Sequence, residues 1–132
     1  MQQVRFSVPL YLTTGKRKPK NNWLNMNNFR NWQFHLSNDL KILFNKAITI
    51  PELDAPLAAC KITFVFYYPT HQRRDLDNSL SVIAKFTQDS LVAAKVILDD
   101  DYKIVRQITG KYGGLDKTNP RCEVIVEEVD AS

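Results

Sequence analysis

The sequence predicts a small single domain of the α+β or mixed α/β class, in which helices cover a β-sheet. Segments that alternate apolar and polar residues, as strands do, are interspersed with segments whose apolar residues recur every three or four positions, as in helices. The chain has 132 residues, of which 44% are hydrophobic, and this suits one core rather than two. We therefore expect one domain over residues 1–132, in the order strand, helix, strand, helix, strand, strand.

The first half of the chain predicts an amphipathic helix with one strand before it and one strand after it. Residues 4–10 alternate as a short strand. Apolar residues recur at helical spacing over residues 29–47, and Asn27 or Asn28 is available as the N-cap of this helix. Residues 58–68 are rich in β-branched and aromatic side chains, and they predict the next strand.

The second half predicts a helix followed by two strands. The helix covers residues 78–94 and has apolar residues on more than one side, so it is buried between layers or packs against a second subunit. Residues 104–109 and 122–129 alternate as strands. The connection between them contains glycines and an Asn-Pro pair, which predicts a long hairpin.

Composition excludes several classes of protein. The two cysteines have no metal-ligand spacing, so we expect reduced, buried thiols rather than a disulfide scaffold. The sequence has neither the pattern of a signal peptide nor an apolar run that could span a membrane, and a cytoplasmic protein without membrane contact is expected. The 18 Lys and Arg outnumber the 14 Asp and Glu, and the net charge of +4 weakly favours a polyanionic partner.

Cations cluster in one early segment, which we call the basic loop. Its members are Lys16, Arg17, Lys18 and Lys20. An Asn-rich run containing Trp23 follows the basic loop, over residues 21–28. Cations beside an aromatic ring and many amides suit contact with a phosphate backbone, and a solvated, flexible loop is an equally good interpretation of the same composition.

The most informative stretch is residues 73–78, Arg-Arg-Asp-Leu-Asp-Asn. It lies between a predicted strand and a predicted helix, where α/β folds usually place their chemistry. In an extended or turn conformation residues i and i+2 point the same way, so Asp75 and Asp77 can converge on one point. Converging carboxylates repel unless a cation lies between them, and Mg²⁺ prefers oxygen ligands. The alternative is structural, since Asp is a common N-cap and favours the positive end of a helix.

Two further features belong to the same hypothesis. Lys85 lies two turns along the predicted helix from Asp77, so its ammonium could lean back toward the carboxylates, although an ordinary surface lysine is the simpler interpretation. Residues 99–101 are three consecutive aspartates at the end of the same segment. A solvated turn explains such a run, but a turn after the helix could also bring these acids to the motif.

With these residues assembled, the chain resembles the RusA family of Holliday junction resolvases, small endonucleases often encoded by phages and prophages. The resemblance covers mainly residues 60–106: the motif at 73–78, a helical lysine, and an apolar stretch that ends in paired aspartates. It implies that Asp75, Asp77 and one later aspartate are catalytic carboxylates, assisted by Lys85. It also implies Mg²⁺, which Mn²⁺ can replace, as the metal, and no small-molecule cofactor.

The resemblance leaves two assignments open. The family lysine usually lies one turn earlier, where this chain has Ser81, and Lys85 substitutes for it if the helix is one turn longer. The third carboxylate is Asp100 or Asp101, both possible metal ligands, and we favour Asp100 as the catalytic one. The basic loop, Arg73 and Arg74 are the expected DNA contacts.

The activity that the resemblance implies is Mg²⁺-dependent cleavage of four-way DNA junctions by paired nicks in recombination and repair, inside a bacterial or phage-infected cell. A homodimer is expected, because resolution needs two opposed nicks and a two-fold symmetric dimer supplies two sites. The alternative is a non-catalytic protein of the same fold that binds junctions or other branched DNA.

Overall fold

The structure, a computed structural model, describes all residues from 1 to 132. It is a small α+β domain with a mixed four-stranded sheet, a separate two-stranded hairpin and three helices. In chain order the elements are β1 (Gln3–Val8), β2 (Tyr11–Thr14), β3 (Lys20–Trp23), α1 (Met26–Phe29), α2 (Phe34–Ala47), β4 (Cys60–Tyr68), α3 (Leu76–Ala93), β5 (Val105–Leu115) and β6 (Arg121–Glu128).

The order of strands in the main sheet is β1-β6-β4-β5. The central strand β4 pairs antiparallel with β6 and parallel with β5. Parallel neighbours need a crossover connection, and α3 provides it by running back along the sheet from the end of β4 to the start of β5. The residues that precede α3 therefore lie at one end of the sheet, and those that follow it lie at the other.

The core lies between one face of the sheet and the helices. Side chains alternate across β4, so Ile62, Phe64 and Phe66 are fully buried while the residues between them are partly exposed. From the helical side, Phe86 of α3 packs edge-on against Phe44 of α2, with ring centroids 5.5 Å apart. Helix α3 is thus buried between the sheet and the other helices, and its apolar residues on several sides require no second subunit.

One glycine permits the close approach of α3 to the sheet. Gly110 of β5 lies beneath Leu80 of α3, and a Cβ at this glycine would stand 2.9 Å from a Leu80 methyl carbon. Contacts between Cβ atoms and carbon this short do not occur without rearrangement, so a side chain here would force the Leu80 side chain to shift. The helix that begins at the motif is therefore held directly on the edge strand.

Two predictions for the first half need correction. The segment predicted as a loop contains a hairpin, β2 and β3, in which the buried Asn22 side chain donates to the Leu12 carbonyl at 3.0 Å. The predicted single helix is two helices, and Asn25, not Asn27 or Asn28, caps α1 by accepting the Asn28 N–H at 2.9 Å. Helix α2 begins after Gln33 without a side-chain cap.

The predicted hairpin between the last two strands is wrong. β5 and β6 do not pair, because β4 lies between them and bonds to both. The alternation that identified β6 was correct, since its apolar residues Cys122, Val124 and Val126 are buried. What the local pattern could not reveal is that β5 enters the sheet parallel to β4.

The remaining predictions about thiols and membranes can be compared directly. Cys60 and Cys122 are free and buried, as expected, and burial raises the pKa of the Cys60 thiol to about 11 and also raises the pKa of the Cys122 thiol. None of the helices combines the length and the apolar character needed to cross a bilayer.

Candidate functional site

The Arg-Arg-Asp-Leu-Asp-Asn motif occupies the loop after β4 and the first turn of α3. Asp75 is the N-cap residue, with extended backbone angles, but its side chain makes no capping hydrogen bond. Asp77 lies in the first turn and is exposed. Neither carboxylate forms an ion pair. Asp75 therefore does not do what the capping interpretation requires of it, and both carboxylates are open to solvent.

The two carboxylates are not arranged as an extended i, i+2 pair, because α3 begins between them. Asp77 is already helical, and each helical residue turns the side chain by about 100° around the axis. Asp75 lines the cleft described below, while Asp77 lies in the exposed row of α3 that continues through Ser81 and Lys85. The structure places both aspartates at one helix start, with Asp75 in the wall of the cleft and Asp77 on the exposed face of α3.

A polar cleft of about 800 Å³ opens beside Asp75. Its walls come from residues 23–28 on one side and residues 72–79 on the other. Five of its ten lining residues carry side-chain amides, and only Trp23 is hydrophobic. The amides belong to Asn25, Asn27, Asn28, Gln72 and Asn78. We call this feature the amide cleft.

Two asparagines tie the walls of the amide cleft together. The Asn78 side-chain oxygen accepts the backbone N–H of Met26 at 2.9 Å, across 52 residues of sequence. The Asn25 side-chain oxygen accepts the Asn28 N–H at 2.9 Å in the same turn of α1. Because a backbone N–H can only donate, both amides must present oxygen to α1. The last residue of the motif thus positions α1 beside the first carboxylate.

Arg74 links the motif to the hairpin, as Asn78 links it to α1. Its guanidinium carbon lies 5.2 Å from the ring centroid of Trp23 and 5.0 Å from that of Tyr68. Its Nη1 atom also donates to the backbone oxygens of Thr70 at 3.2 Å and Gln72 at 3.1 Å. A cation held between two aromatic faces gains quadrupole attraction on both sides. Arg74 therefore fixes the base of the hairpin, while Arg73 is exposed and makes no ion pair.

The basic loop lies at the tip of the β2–β3 hairpin, and all four of its cations are exposed and without an acidic partner. Gly15 opens the turn with φ +92°, a conformation that favours glycine. Along β3, Lys20 is three residues from Trp23, a distance of about 10 Å at the usual rise of a strand. The structure thus places free positive charge on the same hairpin that supplies Trp23 to the amide cleft.

Lys85 does not contact either motif carboxylate. Its ammonium lies 5.3 Å from the ring centroid of Phe29 in α1 and forms no ion pair. Two helical turns separate it from Asp77, which corresponds to about 12 Å along the axis. Ser81, the other candidate position, donates its hydroxyl to the Asp77 carbonyl at 2.8 Å.

We expected a turn after the helix to return residues 99–101 to the motif of the same chain, and this expectation is wrong. The 18 residues of α3 separate the two regions by about 27 Å, at about 1.5 Å a residue. Within a single chain, no three acidic, histidine or cysteine side chains come close enough to hold a metal ion. The crossover connection explains this result, because it delivers the chain to the opposite end of the sheet.

Hydrogen bonding distinguishes the three consecutive aspartates. The Asp99 carboxylate accepts the Asp100 N–H at 2.7 Å, and the Asp101 carboxylate accepts the Lys103 N–H at 2.9 Å. Both thereby stabilise the turn before β5. Asp100 is exposed and forms no ion pair, so among the three it is the one least committed to local structure.

Trp23, Asn25 and Tyr68 were not selected as site residues from the sequence. The Asn-rich run was visible, but its composition could not reveal that it forms one wall of a cleft whose other wall is the motif. The sequence matches no protein-family model, and it has no significant match among curated proteins. The likeness to the RusA family therefore rests on the motif residues themselves.

Proposed function

We propose that this protein is a Mg²⁺-dependent endodeoxyribonuclease that resolves four-way DNA junctions by paired nicks in recombination and repair. The observation that carries the proposal is the pair Asp75 and Asp77, whose carboxylates lie at a strand end and a helix start without an ion pair to neutralise them. The exposed cations of Arg73 and of the basic loop support a polyanionic substrate.

The chemistry of the residues fits a hard divalent cation. Mg²⁺ is commonly held by one or two carboxylates together with substrate phosphates, and Asp75 and Asp77 supply two carboxylates. Bound there, the ion would supply charge stabilisation at the scissile phosphate and a more acidic water. Arg73 would neutralise a neighbouring phosphate, and Asn78 would keep the cleft wall in place. Lys85, over Phe29, would add positive charge further along the exposed face of α3.

A third carboxylate, if the reaction uses one, has to come from a second copy of the chain. Asp100 follows the far end of α3, whose 18 residues span about 27 Å at about 1.5 Å a residue. A two-fold axis near the middle of β5 would place the β5 strands of the two copies side by side and antiparallel. It would bring the partner subunit's Asp100 to the end of the sheet where Asp75 lies. We therefore propose a homodimer whose two sites each combine Asp75 and Asp77 with Asp100 of the partner subunit.

The edge of the sheet supports this dimer. β5 is eleven residues long and pairs on one side only. Three of its apolar side chains are well exposed: Ile108 at 41%, Tyr112 at 59% and Leu115 at 39%. A long, unpaired edge strand with exposed apolar side chains favours pairing with another chain. Antiparallel addition of a second β5 would extend the sheet and keep both copies of α3 on one face.

The direct test is nicking of a synthetic four-way junction in Mg²⁺, with a linear duplex of the same sequence and a chelator as controls. We expect symmetrical nicks in the junction, none in the duplex, and none after chelation. Binding of the junction without any nicks would favour the alternative, a non-catalytic protein that binds branched DNA. The absence of a three-carboxylate group within one chain is the observation that keeps this alternative open.

Complementation between inactive variants tests the shared site. Asp75→Asn and Asp100→Asn should each abolish nicking when alone. Mixed and reassembled as dimers, they should recover activity, because half of the sites in a heterodimer would then combine an intact Asp75 with an intact Asp100 of the partner subunit. A site built within one chain would not recover, since every protomer carries a defect. Asp75→Asn mixed with Asp77→Asn is the matched control and should stay inactive, because these two residues come from the same protomer.

A further inference from the structure

We propose that the amide cleft reads a DNA base beside the cleaved phosphate, and that it selects guanine through the two acceptors N7 and O6. This inference rests on the proposed function, and it adds a determinant of where the strand is cut. It is carried by the polarity of the cleft, by two amide groups whose oxygens are occupied and whose NH₂ groups are free, and by the position of Asp75 in the same wall.

The lining of the cleft indicates the class of ligand. Nine of its ten lining residues are polar, and five of these are uncharged amides. Phosphate recognition relies mainly on charge, whereas base edges are read by neutral hydrogen-bonding groups. Amides dominate this cleft, and Arg73 and Arg74 are its two cationic residues. The cleft therefore suits a base more than a second phosphate.

Two of the amides are oriented as donors. The oxygens of Asn25 and Asn78 are each occupied by a backbone N–H of α1, at 2.9 Å in both cases. Their NH₂ groups consequently remain available to a ligand, each with two protons to donate. Because both oxygens bind N–H groups of one short helix, Met26 and Asn28, the two amides are held at neighbouring points of the cleft.

Two adjacent donors match one base edge best. In the major groove guanine presents two neighbouring acceptors, N7 and O6, whereas adenine presents an acceptor beside a donor. The same edge is accessible in paired DNA, so no base needs to be unstacked. Since Asp75 lines this cleft, a guanine bound there would lie next to the phosphate that the carboxylates reach.

Asn→Asp substitutions provide the variants. Asn25→Asp and Asn78→Asp keep the oxygen that accepts the α1 N–H, so the fold is retained, but they replace the donor NH₂ by an acceptor. Asn27→Asp is the matched control. It adds the same charge to the same cleft, although Asn27 has no fixed donor.

Four static junctions that differ only in the base pairs next to the branch point form the assay. Gel-shift affinity without metal and nicking in Mg²⁺ are both measured, and 7-deazaguanine replaces guanine in a fifth junction. We expect guanine to be preferred by roughly 10- to 100-fold, as one bidentate base contact supplies. The preference should vanish with 7-deazaguanine and in Asn25→Asp or Asn78→Asp. Asn27→Asp should weaken all junctions equally and keep the preference.

The outcomes separate this inference from the proposed function. Equal binding and cutting of all four junctions would overturn the base-reading inference alone. A preference for another base, or a guanine preference that survives both Asp variants, would also overturn it. Guanine-selective binding without nicks would support the inference and contradict the nuclease. No binding to any junction would overturn both.

Discussion

Replacing Arg74 tests whether the clamp between hairpin and motif stabilises the fold. Arg74→Leu would remove two cation–π contacts, worth about 0.5 kcal/mol each at a partly exposed site. It would also remove two hydrogen bonds to backbone carbonyls, worth about 0.5 kcal/mol each at the lower end of the usual range. The free energy of unfolding should therefore fall by about 2 kcal/mol. In urea, with a slope of about 2 kcal/mol/M, the midpoint should fall by about 1 M.

The neighbouring arginine provides the control for this prediction. Arg73→Leu removes the same charge from an exposed side chain that forms no ion pair, so its unfolding free energy should stay within about 0.5 kcal/mol of the parent. Junction affinity should fall more for Arg73→Leu than for Arg74→Leu, which is the reverse of the order expected for stability. A double-mutant cycle with Trp23→Leu should give a coupling energy of about 0.5 kcal/mol or more. Equal stability of the two arginine variants would refute the clamp.

Three further predictions concern binding, a buried hydroxyl and a buried thiol. Replacing all four cations of the basic loop by Ala should weaken junction binding. It should also lower the magnitude of the slope of log K against log salt by about 0.9 for each phosphate that the loop no longer neutralises. An unchanged slope would mean that the loop is only solvated. Thr87 has a buried hydroxyl without a hydrogen-bond partner, so Thr87→Val should raise the unfolding free energy by about 1 kcal/mol, and a clear destabilisation in the same urea assay would contradict this expectation. Burial raises the pKa of Cys60 from 9.0 to about 11, so the stability that the thiol form provides should be complete below pH 9 and should decline as the pH rises toward about 11. Cys60→Ala should remove part of this decline. A pH profile of Cys60→Ala identical to that of the parent would contradict the assignment.

The helices and strands with strong periodicity could be predicted from the sequence, but their pairing could not. β-Branched and aromatic residues located β4, alternation located β6, and the apolar spacing located α3 to within two residues at its start. The position of β4 between β5 and β6 depends on the crossover through α3, which is a non-local property. Local patterns favour hairpins between consecutive strands, and here tertiary packing of α3 on the sheet prevails.

The β2–β3 hairpin was missed because its sequence has low strand propensity. Strand β3 reads Lys-Asn-Asn-Trp, and Asn and Lys are depleted in strands. The hairpin forms nevertheless, because the Asn22 amide donates to the Leu12 carbonyl and to the Thr14 hydroxyl, each at 3.0 Å. The hydrogen bonds of this buried side-chain amide compensate for the low strand propensity of the hairpin, and the periodicity of apolar residues does not reveal them.

The candidate site was predictable in part. The spacing of Asp75 and Asp77 identified the motif, since it depends only on neighbouring residues. The bond from Met26 to Asn78 spans 52 residues, and the clamp on Arg74 joins Trp23 to Tyr68, so neither could be inferred from composition. For the same reason the sequence placed Asp100 beside the motif, when the length of α3 separates them within one chain.

The most direct test of the central claim separates chemistry from binding at Asp75 and Asp77. Asn keeps the shape of Asp but lacks the charge that would hold a divalent cation, and removal of negative charge near a phosphate reduces repulsion. Asp75→Asn and Asp77→Asn should therefore abolish nicking of a four-way junction in Mg²⁺ while gel-shift affinity without metal stays equal or increases. Asp89→Asn, the same change at another exposed position of α3, should leave both unchanged. Parental nicking rates in both motif variants would contradict the carboxylate site.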